Sequence, residues 1–158
     1  MLHISTRGEY GVRVMIDLGR HYGQGLRSLT EISQDEGLPV QYLEQLIKKL
    51  RDAELVTSVR GAHGGYQLSR PPVEIRMSEV LRTLEGSLAP YSCLTDASDT
   101  VSCDWNRDSH CSTQLLWARL RDVIVQTLDS ISLAELVSGQ LTLSALGTTK
   151  NTTIAAHA

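Results

Sequence analysis

All three cysteines of this 158-residue chain fall in one stretch, SCLTDASDTVSCDWNRDSHC, at Cys93, Cys103 and Cys111. An odd number of thiols cannot pair completely into disulfides. The intervals, nine residues and then seven, match no zinc-finger spacing. The chemistry open to such a set is metal ligation by thiolates, reversible thiol oxidation, or catalysis by Cys111 with its neighbour His110. The catalytic option lacks companions, because no Ser/His/Asp set, phosphate loop or pair of catalytic carboxylates can be assembled from the remaining segments. The expectation is a protein that is not an enzyme.

The elements around the loop decide what the thiols serve. No apolar run approaches the roughly 18 residues of a membrane helix, and the N-terminus lacks the apolar segment of a secretory signal. The chain is therefore expected in the cytoplasm with no membrane partner, where thiols stay reduced. With 41% hydrophobic residues and no Phe, the core must be built from Leu, Ile and Val, which suits helix-on-helix packing. The net charge of −3 is uneven: residues 1–76 carry ten Lys/Arg against nine Asp/Glu, and the remainder five against nine.

TRGEYGVRVMIDLGRHYG reads as a helix with Thr6 and Glu9 in capping-box form, an apolar stripe through Tyr10, Val14, Met15 and Leu18, and Gly23 and Gly25 as stops. LRSLTEISQDEG reads as a short helix ended by Gly37. LPVQYLEQLIKKLRDAELV follows, with Pro39 at its start and Leu43, Leu46, Ile47 and Leu50 at i, i+3, i+4, i+7. Two helices joined by a short glycine-containing turn fit a helix-turn-helix. LVTSVRGAHGGYQLSR then alternates apolar and polar residues around a glycine-rich tip, a β-hairpin whose glycines are expected to supply positive φ. That order is the order of a winged helix, and Arg60 at the exit of the first strand is placed to enter a narrow minor groove.

An amphipathic helix through Met77, Val80, Leu81 and Leu84 precedes the cysteine loop. After the loop a long helix repeats Leu116, Leu120, Val123, Ile124 and Thr127 on one face, more apolar surface than one small domain can cover, so it should form a two-fold dimer. A short helix follows Ser132. The expected fold is mainly α with a small β-hairpin wing. Its parts are a winged helix-turn-helix DNA-binding domain over 1–76, a linking helix over 77–91 and the cysteine loop over 92–111. A dimerisation helix and short helix over 112–143 and a disordered tail over 144–158 complete it.

STRGEYGVRVMIDL, YLEQLIKKLRDAELVTSVRGAHGGYQL, CSTQLLWARLRDV and ISLAELV together resemble the IscR/NsrR-type winged-helix iron–sulfur transcription regulators, across roughly residues 1–140. The resemblance implies a homodimeric bacterial regulator acting on a double-stranded operator, an imperfect palindrome in keeping with the two-fold symmetry. It implies a 2Fe–2S or 4Fe–4S cluster on Cys93, Cys103 and Cys111, which senses redox state, iron supply or nitric oxide. It also places Gln41, Tyr42, Glu44 and Gln45 on the base-reading helix, Lys48 and Lys49 near phosphates, and Arg60, His63 and Gly64 in the wing. Glutamine can bond adenine bidentately, glutamate can accept from the cytosine amino group, and a glutamate facing DNA penalises wrong sites. Pairing of Glu44 with Lys48 one turn on is the plainer use of the same residue.

This loop is longer than is usual in IscR-like members, and the histidine those members carry three residues after the last cysteine is Gln114 here. NsrR-like members take a carboxylate from the first helix of the other subunit, and Glu9 occupies that position. His110, an exogenous ligand or no fourth protein ligand are the alternatives, and a cluster-free thiol switch or a zinc site remains open for the same cysteines.

Overall fold

The computed structural model describes residues 5–61, 63–89 and 113–141. Cys93, Cys103, Cys111, His110 and the expected tail at 144–158 lie outside these residues. Helix α1 spans Thr6–Arg20, and its start differs from the local reading. Ser5, and not Thr6, is the N-cap, its Oγ accepting from the Arg7 amide at 3.2 Å. A distant partner selects it: the amide and hydroxyl of Ser5 both donate to Glu85 Oε1, at 3.2 and 2.6 Å. Glu9 therefore closes no capping box. It pairs instead with Arg13 one turn on, at 2.8 Å.

Val14, Met15 and Leu18 are buried as the stripe requires. Gly11 lets the next layer close on them, since a Cβ there would sit 2.1 Å from Leu84 Cδ1. Helix α2, Leu29–Glu36, ends at Gly37 in the left-handed conformation, and α3, Val40–Asp52, begins after Pro39. Leu43, Leu46, Ile47 and Leu50 are all buried, so the i, i+3, i+4, i+7 reading of α3 holds. Glu54 takes a positive φ of 58°, and this left-handed residue lets the Leu55 amide return to the Leu50 carbonyl at 2.9 Å and turns Leu55 into the core.

Strands β1, Val56–Val59, and β2, Gly65–Leu68, pair antiparallel with Val56 opposite Leu68 and Val59 opposite Gly65. The glycines of the tip work differently from expectation. Gly61 has a positive φ of 128°, but Gly64 and Gly65 do not. They are required by close backbone approach: a Cβ on Gly64 would lie 2.2 Å from the Val59 carbonyl oxygen, and one on Gly65 would lie 2.8 Å from that of Arg27.

Helix α4, Met77–Glu85, buries Met77, Val80, Leu81 and Leu84 in the same core as α1 and α3. Helix α5 spans Gln114–Ser130 and α6 spans Leu133–Ser138. Leu133 of α6 is buried in that core as well, and the link before it pairs with the link before α4 through the Leu133 amide to the Ile75 carbonyl (2.9 Å) and the Met77 amide to the Ile131 carbonyl (3.0 Å). Packing thus continues across the boundary drawn at residue 76.

Glu31 and Glu135 close reciprocal capping boxes, each accepting from the amide and hydroxyl of its serine, Ser28 or Ser132, at 2.7 Å. Those bonds, the amide's first and the hydroxyl's second, favour the carboxylate and hold both carboxyls below their usual value. A lowered carboxyl contributes stability that is present above the unfolded value and is lost as the pH falls through the folded one. Glu135→Gln is accordingly expected to flatten the acid limb of thermal stability, followed by circular dichroism from neutral pH to about pH 3. An unchanged slope would count against this role.

Candidate nucleic-acid interface

Helix α3 buries one side and turns the other outward. Gln41, Glu44, Gln45 and Lys48 recur at three- and four-residue spacing opposite the Leu43–Leu50 stripe, and all four are exposed. Among the described residues no ion pair joins Glu44 to Lys48, so its plainer use is not taken up. Pro39 offers no side-chain cap, which leaves the first amides of α3 without one at the end that also carries Gln41.

Two expected contacts sit at the border of this face. Tyr42 is half-buried, its ring edge-on to Tyr10 with centroids 5.6 Å apart, and it packs against the core. Lys49 directs Nζ to the Leu84 carbonyl at the end of α4, at 3.5 Å. Arg7 donates to the same carbonyl at 3.4 Å. Cations at a helix C-terminus are favourable on electrostatic grounds, so Lys49 has an intramolecular use that the spacing did not reveal. In the wing, Arg60 and His63 are exposed at the tip, and Gly64 is half-buried between the strands.

Of the expected cluster ligands, Glu9 alone lies within the described residues. Glu9 is exposed on α1, and among the described residues its carboxylate is paired with Arg13, itself about half exposed. Glu9 and Arg13 also line an apolar groove of about 470 Å³ whose walls include Val12, Leu81, Leu128 and Leu136. The N-terminal half of α5 adds uncovered apolar surface at Leu115 (80% exposed), Leu116 (60%), Leu120 (39%) and Val123 (41%). Among the described residues no three His, Cys, Asp or Glu side chains converge to hold a metal.

A helix-turn-helix with an exposed second helix and a two-stranded wing beside it defines a winged-helix DNA-binding protein. The comparisons narrow the class. The Rrf2 family model, described as "Iron-dependent Transcriptional regulator", matches residues 4–139. The chain is similar to the HTH-type transcriptional regulator CymR of Bacillus subtilis, 39% identical over 87% of this chain and 91% of that one. It superposes on T. potens IscR with a TM-score of 0.68 at 41% identity, covering 87% of each chain. It also superposes on the oxidised form of Staphylococcus aureus CymR with a TM-score of 0.65 at 37% identity, covering 92% of this chain and 99% of that one. The protein belongs to the Rrf2 family of DNA-binding transcription regulators.

Proposed function

We propose that this regulator acts as a homodimer whose operator affinity is set by an iron–sulfur cluster, held by Cys93, Cys103 and Cys111 of one protomer and Glu9 of the partner subunit. The observation that carries the reading is the state of Glu9. It is an ionisable group on α1 that caps nothing, is paired only on the surface, and lines an apolar groove no described residue covers. Three thiolates and one carboxylate are a donor set suited to iron. Bound there, a cluster would supply a redox-sensitive group with one weak oxygen ligand.

The chain's own residues give that site a route to DNA. Arg13 holds the Glu9 carboxylate by an exposed pair of the kind worth only about 0.5 kcal/mol, so a better partner can take it. Helix α1 packs on α2, α3 and α4, so a change in its seating reaches the helix-turn-helix directly. On α3, Gln41 and Gln45 offer bidentate contacts to adenine and Glu44 selects against wrong sites, while Lys48 and Arg60 neutralise phosphate or enter the minor groove. The exposed leucines of α5 and the groove beside Glu9 would meet a second copy of the chain.

A thiol switch without a cluster is the second reading, supported by the likeness to a CymR structure described as an oxidised form. Anaerobic purification followed by native mass spectrometry separates the two. A dimer carrying iron and acid-labile sulfide supports the cluster, and a colourless dimer that changes only by thiol oxidation supports the switch. Glu9→Ala is expected to alter the anaerobic visible spectrum and the operator affinity together; if neither moves, Glu9 is not the fourth ligand.

A further inference from the structure

Arg27 is a half-buried residue that joins three elements at once. Its guanidinium forks onto Asp17 of α1, Nε to Oδ2 at 3.2 Å and Nη2 to Oδ1 at 3.1 Å. Nη2 also bonds Asp35 of α2, and Nη1 lies 3.9 Å from Glu31. The backbone of the same residue pairs with the wing, its amide donating to the Tyr66 carbonyl at 2.9 Å and its carbonyl accepting from the Tyr66 amide at 2.8 Å. Gly65 has no side chain where that carbonyl passes.

Asp17 explains why an arginine stands here. Its carboxylate is 3% exposed, on the face of α1 that carries Val14 and Leu18, where an ionised group survives only with a bonded counter-charge. The nearest other cationic candidate, His21 Nδ1, lies 3.7 Å from Oδ1 and is hydrogen-bonded to the Asp17 carbonyl. The planar two-pronged geometry of arginine matches the carboxylate as no lysine does. Beyond Val56 and Leu68 at its root, no other described residue of the hairpin is fully buried; Tyr66 packs half-buried against the core, at the point where Arg27 pairs with it. Residue 27 is thus a third, one-residue strand that is itself bolted to both α1 and the first helix of the helix-turn-helix.

We infer that Arg27 is a positioning residue for DNA binding: its fork on Asp17 and Asp35 fixes the wing relative to α3, so that Arg60 and the reading helix engage one duplex together. The inference rests on the reading of Arg60 as a DNA contact. Asp17→Asn with Arg27→Gln keeps the shape and removes the charged fork without stranding a buried charge. Asp35→Asn, at a side chain more than half exposed, removes one arm only.

Amide exchange followed by NMR should show Tyr66 exchanging at least tenfold faster in the double variant while Leu50 of α3 is unchanged. Binding to a mixed-sequence 40-base-pair duplex over a salt series gives the functional half. In the parent, Arg60→Ala should reduce the slope of log affinity against log salt by about 1. In the double-variant background the same change should reduce it by less than half as much, with Asp35→Asn intermediate. An equal effect of Arg60→Ala in both backgrounds, or an unaltered Tyr66 amide, overturns the positioning role. No effect of Arg60→Ala in the parent overturns it too, and does so by removing the wing contact itself.

Discussion

Replacing Leu116 and Leu120 together by Asp is expected to convert the proposed dimer to monomers that retain their helical content. Both side chains are substantially exposed, at 60% and 39%, so the protomer loses no core contact when they change. Covering a fully exposed leucine is worth about 1.5–3 kcal/mol; scaled to the surface still open on Leu116 and Leu120, the four leucines of a dimer give roughly 3–6 kcal/mol, about two to four powers of ten in the dissociation constant. Four carboxylates in the same interface add repulsion and desolvation. Sedimentation velocity with circular dichroism reads both parts, and duplex binding should weaken because two half-sites are no longer linked. A variant that stays dimeric would place the interface on another face.

Gly64→Ala is expected to disable the wing more severely than Gly61→Ala. A methyl group at Gly64 meets three backbone atoms, the Val59 carbonyl oxygen at 2.2 Å and Arg60 C and Gly61 N at 3.0 Å. No rotamer change relieves a backbone clash, so the tip must open and give up the Gly64 amide to Gly61 carbonyl bond of 2.9 Å. At Gly61 a methyl group meets open space and faces only its positive φ of 128°, a backbone cost of roughly 1–3 kcal/mol. The core does not include the tip, so global unfolding should shift less than amide exchange at Val59 and Gln67, which belong to the hydrogen-bonded pairs of the hairpin because Tyr66 turns its own amide to Arg27. The reverse order for the two glycines would show that conformation and not contact governs the turn.

The expected DNA-reading face was legible because it is the complement of a buried stripe. Once Leu43, Leu46, Ile47 and Leu50 are set inward, Gln41, Glu44, Gln45 and Lys48 can only point out. The helices, the Gly37 stop of α2 and the wing followed from the same short-range patterns, whereas α1 ends at Arg20 with His21 as its C-cap, short of Gly23 and Gly25. Tyr42 and Lys49 show where this logic ends. Both lie at the edge of the stripe, where the spacing leaves a side chain's direction open, and a neighbouring ring and a neighbouring helix end claimed them. Asp17, inside the first apolar stripe, is a sequence signal of its own, since a buried carboxylate requires a partner and Arg27 is that partner.

The sequence by itself determined the order of the elements, the outward face of α3, the surplus apolar face of α5 and the presence of three thiols in one segment. These depend on residue type and on spacings of two to seven residues, which the chain carries wherever it folds. Only the tertiary structure decided that Ser5 caps α1, that Gly64 is required by contact, and that Arg27 ties the wing to α1. Ser5 and Glu85 are 80 residues apart, and Tyr66 bonds back to Arg27 across the helix-turn-helix. Such pairings are set by which surfaces the buried core brings together, and no local spacing encodes them.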